Sequence, residues 1–533
     1  MAKCVSDTLA AGIAAGRNDF TRRQFGGLLL GAGMAAFGAG SGVLAGVRPA
    51  QAAPVRGGFL KVALFSQSTN DTFDPAKLVH PGDYIRCTSL FGHLTRLDEQ
   101  GKAQPELAES FEPNADATEW TFKIRKGISF HDGAPLTMDD IIFSILRHKE
   151  EKVASNAKPL VQNVKEVVAD GSDTIVVKLS EPDADLPALI GTFQFAIVKN
   201  GTYDFSSPVG TGAFKVKEFS PGVRTICERN ENYWKEGQPY IDGFEMFSIV
   251  DHVARANALL SGDVHMVVDL RGPSIDEVAR SSVASPFITN APRYTSIQAA
   301  VDIPPGDRQD LGLALSYLID RERMMKTILR GNGVIANDHP LMSGSAYYDA
   351  ALPQRVLDHD KAKFHLKKAG IGNSRIELHV SDASAFSVEI GQLLQREAST
   401  VGLNLDLRRE PADSYWSAVA GKRALFAATF NPRPTYNMLL NLAWKSGAAW
   451  NFSHYSNPEL DTLIDKARVT LDEALRAEIY SDIQTTIHNS GALILPAFIS
   501  FVDGVSNKVQ GLTPIPVGAL GGFNFTDRVW LTA

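Results

Sequence analysis

The sequence predicts an α/β protein of two lobes, and three observations carry that prediction. A chain of 533 residues, 44% hydrophobic and 21% charged, holds material for more than one core. Between about residues 57 and 234 strand-type alternation with turn residues dominates. From Val253 onward helical spacing alternates with short strands, the pattern of α/β layers.

The first fifty residues differ in kind from the rest. Arg22 and Arg23 precede an uncharged stretch from Phe25 to Val47, and Ala50-Gln51-Ala52 supplies an A-x-A cleavage signal. This pattern is similar to a twin-arginine export signal, cleaved near Ala52/Ala53. A retained membrane anchor is the alternative, since the stretch is long enough to span; its Gly and Ala content buries little apolar area, which favours removal. Without residues 1–52 the chain keeps 48 basic and 58 acidic residues, a net charge of −10. No long basic block occurs, so a nucleic-acid partner is excluded. Cys87 and Cys227 remain, and the sequence leaves open whether they are bonded or free.

"GGFLKVALFSQSTNDTFDP" (57–75) reads as a strand followed by a polar loop of the kind that often carries ligand contacts. Short strands follow in 92–130, with Phe111, Trp120, Phe122 and Ile124 as their apolar side. "WTFKIRKGISFHDGAPLTMDDIIFSI" then sets His131, Asp132 and Gly133 side by side. The pair could be a general base with its carboxylate, half of a metal site, or a corner. Asp-Gly is turn chemistry, and Thr137 with Asp140 forms a near-capping box before a stripe of Ile141, Ile142, Ile145 and Leu146. The structural corner is therefore the expectation. Strands are expected at 174–182 and on either side of Pro221-Gly222, and the Gly-x-Gly of "VGTGAF" reads as a strand-entry turn, lacking the third glycine of a dinucleotide loop.

In the second half, 253–260 is helical, 310–331 reads as one long helix ending at Gly331, and 358–370 as another closed by Gly370. Strands at 376–380 and 403–407 bracket a helix; "NPELDTLIDKARVTLDEALRAEIYSDIQTTIHNSG" supplies two more, and "LILPAFISFVDGVS" returns as strand. G-x-S-x-G, H-E-x-x-H, C-x-x-C and Walker A motifs do not occur. His252, His265, His359 and His365 are scattered and read as surface or edge residues. The sequence therefore predicts a protein that is not an enzyme, with no cofactor and no resident metal; a secreted hydrolase on His131 and Asp132 and a metal or haem carrier are the alternatives from other classes.

The segments "WTFKIRKGISFHDGAPLTMDDIIFSI", "SPVGTGAFKVKEFSPGVRTICERNENYW", "ALLSGDVHMVV", "ALSYLIDRERMMKTILRG", "DHDKAKFHLKKAG" and "YSNPELDTLIDKARVTLDEALRAEIYSDIQTTIHNSGALILPAF", taken in order, resemble the solute-binding proteins of peptide and nickel ABC importers, bacterial extracellular solute-binding family 5. The resemblance implies a periplasmic-binding-protein fold of type II, with two lobes and an extra subdomain inserted in the first. It implies lobe I at 53–290, with the inserted subdomain at about 76–204, lobe II at 291–500, and a return to lobe I over 501–533. It also implies a periplasmic monomer that captures a small-molecule ligand between closing lobes and hands it to an ABC permease in the inner membrane.

In peptide binders of that family an aspartate a few residues after an aromatic pairs with the peptide's α-ammonium. Here Arg433 stands three residues after Phe430, and no acidic residue occurs between Phe426 and His454. A guanidinium suits a carboxylate or phosphate. The expected site is Phe430, Asn431, Arg433, Tyr436, Trp444, Trp450 and Asn451, and the expected ligand an anionic or zwitterionic solute: a modified peptide, an amino-acid conjugate, or an opine-like or sugar-phosphate compound. A conventional di- or oligopeptide-binding protein is the alternative.

Overall fold

A computed structural model describes residues 53–532; the expected export signal and its cleavage site lie outside the described residues. Two seven-stranded sheets organise the chain. In the first, Phe59–Leu64 lies parallel between Met266–Val267 and Gly243–Ser248. Arg224–Arg229 and Phe214–Ser220 extend it on one side, and Phe501–Ser506 and Ala284–Thr289 on the other. The second runs Gly333–Ile335, Ala497–Ile499, Tyr294–Ala299, Leu425–Phe430, Arg375–Val380, Asn404–Arg409, with Leu493–Ile494 also paired to Tyr294–Ala299. The chain leaves the first sheet after Thr289 and enters the second at Tyr294; it returns between Ile499 and Phe501.

Each sheet is buried on both faces, because alternate side chains of a central strand point to opposite sides. Leu60, Val62 and Leu64 meet Ile85, Phe214 and Phe244 on one face of the first sheet. Ala63 and Val267 meet Ala256, Leu259 and Val278, from helices His252–Leu260 and Pro273–Arg280, on the other. In the second sheet Ile297, Leu378 and Ala427 face helices Gln309–Tyr317, His359–Ala369 and Ser387–Thr400. Tyr294, Phe426 and Ala428 face Tyr436–Ala443, Pro458–Val469 and Glu473–His488. Each large apolar side chain so buried contributes about 1.5–3 kcal/mol. A third, four-stranded sheet (Ala108–Pro113, Glu119–Ile124, Thr174–Leu179, Val164–Ala169) packs Trp120, Phe122 and Ile124 against Ile141 and Ile145 of helix Met138–Leu146.

Some expectations need correction. The single helix over 310–331 is two, Gln309–Tyr317 and Arg321–Thr327. Leu318 and Ile319 turn into the core between them, and Asp320 caps the second helix by accepting from the Arg323 N–H at 2.9 Å. The returning strand in "LILPAFISFVDGVS" is three pieces, because it crosses from one sheet to the other at Ser500. Cys87 and Cys227 are both buried and free, and burial raises both thiol pKa values.

The polar loop 66–74 is consumed by the fold. Asp71 lies 3.6 Å from the buried Arg86, and Asp74 pairs with Arg147 at 3.0 Å while accepting from the Ala76 N–H.

Candidate functional site

His131 and Asp132, the residues of the catalytic alternative, lie at a turn that binds a neighbouring loop. Gly210 N–H donates to His131 Nδ1 at 3.3 Å, so the Nε2 proton goes to the Gly212 carbonyl at 3.1 Å. Asp132 points elsewhere, accepting from Ala134 N–H at 3.0 Å and from Lys199 at 2.6 Å. Gly133, at φ +85°, turns the chain. Burial pushes the His131 pKa down to about 4, with the Gly212 hydrogen bond opposing, so the ring is neutral at pH 7. Base and carboxylate do not touch, and both nitrogens are spent on clamping the 210–212 loop. That loop needs its glycines for close approach: a Cβ on Gly210 would meet the Leu90 carbonyl oxygen at 1.9 Å. Three of the scattered histidines are engaged within the fold: His265 Nδ1 accepts from Lys61 N–H at 3.0 Å, His365 pairs with Asp310 at 2.7 Å and His359 with Glu397 at 3.1 Å.

A cavity of about 1490 Å³ lies between the two large sheets and is lined from both sides. From the side of the first sheet come Tyr84, Phe193, Asp269 and Phe523; from the second come Phe386, Trp416, Thr429, Asn431, Arg433 and Trp450. Tyr84 stands on helix Pro81–Leu90, stacked on Phe523 at 5.4 Å between ring centres. Thr429 is fixed by hydroxyl contacts to Thr295 at 2.6 Å and Ser384 at 2.8 Å.

Arg433 follows the end of strand Leu425–Phe430, and its guanidinium lies 4.7 Å from the Trp450 ring centre. Its only hydrogen bond within the described residues goes from Nη1 to the Pro432 carbonyl at 3.1 Å, and no described carboxylate comes within 4.0 Å. Burial lowers its pKa from the ordinary arginine value; the phenols of Tyr294 and Tyr84 oppose. The same guanidinium in turn opposes the rise that burial imposes on the Tyr84 phenol. The cavity thus presents a partly desolvated cation, backed by an indole face.

Of the seven residues expected at the site, Asn431, Arg433 and Trp450 are brought together on the cavity wall. The others are not. Phe430 is 5% exposed and stacks on Tyr294 at 5.2 Å within the core. Trp444 is 3% exposed and packs edge-on to Tyr455. Asn451 ties its own loop together, donating to the Lys445 and Tyr455 carbonyls. Tyr436 lines a second cavity of about 520 Å³, its hydroxyl donating to Ser345 at 2.7 Å and accepting from Met342 N–H.

Sequence reasoning missed Tyr84, Phe386, Trp416 and Phe523. Trp416 and Phe386 are 42% and 38% exposed, and both stand near polar stretches rather than in an apolar stripe, which is the one local signal that could have found them.

A two-lobed α/β molecule with a cavity of this size between its sheets has the architecture of a binding protein. Residues 102–456 match the model of the bacterial extracellular solute-binding proteins, family 5, middle region, and the chain belongs to that family. Among curated relatives, the glutathione-binding protein of Pectobacterium atrosepticum is 25% identical over 471 residues, covering 84% of this chain and 90% of the relative. The heme-binding protein A of Haemophilus influenzae is 24% identical over 486 residues, covering 84% and 88%. Among solved structures, HbpA2 of Haemophilus parasuis superposes with a TM-score of 0.80 at 18% identity, covering 89% of this chain and all of the other. AgaA of A. tumefaciens R10, solved with agropinic acid, gives 0.71 at 22% identity, covering 89% and 99%.

Proposed function

We propose that this solute-binding protein is the periplasmic receptor of an ABC importer, and that it captures a small anionic or zwitterionic solute between two closing lobes for delivery to an inner-membrane permease. The observation that carries the ligand class is Arg433: a cation on the cavity wall, withdrawn from water, with no acid of its own. A bound anion would complete it, and a ligand touching both lobes favours the closed form because only that form makes both sets of contacts. The relatives named for glutathione and agropinic acid bind acids, which fits this reading. Lobe I is taken as 53–290 with its insertion at about 76–204, lobe II as 291–500, and 501–533 as the return to lobe I. The chain acts as a monomer without bond chemistry, exported through a twin-arginine signal cleaved near Ala52/Ala53.

A conventional di- or oligopeptide-binding protein is the second reading. Glu389 favours it: this exposed carboxylate lines the same cavity and has no ion pair among the described residues, so it could receive a peptide ammonium.

The test is mass spectrometry of compounds released from denatured protein freshly purified from its native host, followed by calorimetric titration of wild type and Arg433→Ala. An anionic compound whose binding collapses in the variant is the expected result. A cationic peptide that binds Arg433→Ala as well as wild type would overturn the anion reading.

A further inference from the structure

Five arginines line the large cavity: Arg96, Arg271, Arg293, Arg330 and Arg433. Three have acids. Arg96 lies 3.4 Å from Glu106, Arg271 2.6 Å from Asp269, and Arg330 2.7 Å from Asp276. Arg293 shares the condition of Arg433, in a more complete form. No described carboxylate comes within 4.0 Å of it, and its side chain donates no hydrogen bond within the described residues. Its Nε is buried without a partner. Asp269, the acid whose charge reaches it, is held by Arg271 and, at 3.8 Å, by Arg255.

The backbone of Arg293 is fixed while its head is left open. It stands one residue before strand Tyr294–Ala299, in the crossing between the sheets, and its carbonyl accepts from Ile499 N–H at 2.7 Å in the return crossing. The guanidinium lies 5.4 Å from the Phe501 ring centre, an aromatic face that holds a cation without neutralising it. Tyr294 pairs with Phe430 across the strands, so Arg293 and Arg433 both lie just beyond the same end of one strand pair. They are nevertheless separate positions: the Arg293 guanidinium lies against Phe501, whereas that of Arg433 lies against Trp450.

We infer that Arg293 is a second anion-binding position in the cleft, distinct from Arg433, and that the protein selects a solute carrying two separated anionic groups, a dicarboxylate with an organic body. This rests on the reading of the cavity as the ligand site. Three of the five cavity arginines have an acid within 4.0 Å, whereas Arg293 and Arg433 have none among the described residues, and Glu389, the cavity acid without an ion pair there, is exposed; a ligand anion would supply the missing partner. Unpaired guanidiniums cost free energy in the empty protein, and their fork geometry matches carboxylate oxygens two at a time. The aromatic walls at Tyr84, Trp416 and Trp450 provide for the body between the two acids.

The test titrates the full mature protein calorimetrically with glutathione, γ-glutamylalanine and N-succinylphenylalanine, each beside its two singly esterified forms. Wild type is expected to bind at least one diacid, with each monoester weaker by on the order of 100-fold. Arg293→Gln and Arg433→Gln should each weaken that diacid by a similar factor. Each variant should also bind one monoester as wild type does, the two variants choosing opposite esters, because a missing cation has nothing to lose against a missing anion. Unfolding temperatures equal to wild type exclude a folding defect, and Arg293→Lys should recover part of the affinity.

If Arg293→Gln leaves the diacid unaffected, or weakens diacid and both monoesters alike, Arg293 is not an anion position and this inference falls while Arg433 stands. If Arg433→Gln is the silent variant, the proposed function falls at its carrying residue. If no diacid in the panel binds wild type below about 1 mM, a binding free energy of about −4.1 kcal/mol, this inference falls, while the proposed function is decided by the compound released from the native protein and its titration against Arg433→Ala.

Discussion

Arg321 and Arg355 share one carboxylate, Asp338, at 2.7 Å each, in a knot where acid and cations are all less than a tenth exposed. Burial alone would raise the Asp338 pKa, yet the two guanidiniums and the Leu495 N–H hold it below the ordinary carboxylate value. Arg293 and Arg433 belong to the same half of the molecule and are also withdrawn from water, but they face a cavity and no acid. The difference separates two uses of a buried cation. In the knot the chain supplies the counter-charge; at Arg293 and Arg433, on the proposed ligand-binding wall, no described carboxylate does so.

Charge reversal should give the largest effect and break the comparison most directly. Arg433→Asp should abolish binding of the native ligand, and Arg433→Ala should cost roughly 3–5 kcal/mol, or about two to nearly four decades in affinity by titration. Thermal unfolding of the ligand-free protein should not fall, because no internal pair is lost and an unpaired, partly desolvated charge is removed. Equal affinities for variant and wild type would place Arg433 outside the site.

Asp338→Asn tests the other member of the comparison. It leaves two buried guanidiniums facing a neutral amide, and should lower stability by about 3–5 kcal/mol in denaturant titration, with ligand affinity retained by the folded fraction. A variant as stable as wild type would show that pairing is not what distinguishes the knot from the cleft.

Arg433→Lys sharpens the comparison by keeping the charge and removing the fork. Affinity should fall about tenfold, between wild type and Arg433→Ala, because an ammonium cannot form two parallel bonds to one carboxylate. Full recovery would mean that charge alone is read.

The smallest effect is expected at His131, where both ring nitrogens already have partners. His131→Ala should cost about 1–2 kcal/mol of stability and leave affinity within about threefold, a difference of ~0.7 kcal/mol. The contribution also has a pH signature. An unfolded histidine titrates near ~6.5, whereas burial depresses His131 to about 4. Its stabilisation is therefore present above the higher value and lost as pH falls through the lower one. The stability difference between wild type and variant, measured by urea titration from pH 7 to 4, should shrink on acidification; a difference that grows would mean the imidazolium is the favoured form.

Much of the fold was legible because periodicity reports burial residue by residue. Trp120, Phe122 and Ile124 alternate and are buried; Thr137 and Asp140 form the expected capping box; Gly370 ends its helix at φ +64°. The helix Tyr436–Ala443 was missed although Thr435 caps it and Leu439, Leu440 and Ala443 form its buried side. Pro432 and Pro434 just before it and Trp444 just after it interrupt the apolar pattern from which the other helices were read. The break at Leu318 was hidden for the opposite reason, since an unbroken apolar run looks the same whether it stays on one helix or turns into a core.

The wall of the proposed site was legible in part. Arg433 stood out because a cation occupies a stretch without acids, which is a property of the sequence. Trp444 and Trp450 are the same residue type six positions apart in that stretch, and one fills a core while the other lines the cavity. Arg293 carried no signal, since an arginine before a strand is an ordinary surface residue until its neighbours are known.

The sequence by itself determined most of the helices and strands and their apolar faces, and the turn at His131, because those properties depend on residues a few positions apart. Only the tertiary structure decided that Arg293 and Arg433 sit beyond the same end of one strand pair, that Asp269 is already taken, and that the polar loop at 66–74 is spent on Arg86 and Arg147. The physical reason is that a charge becomes a binding group only when nothing within reach neutralises it. What lies within reach is set by residues far apart in the chain that the sheets and their crossings bring together.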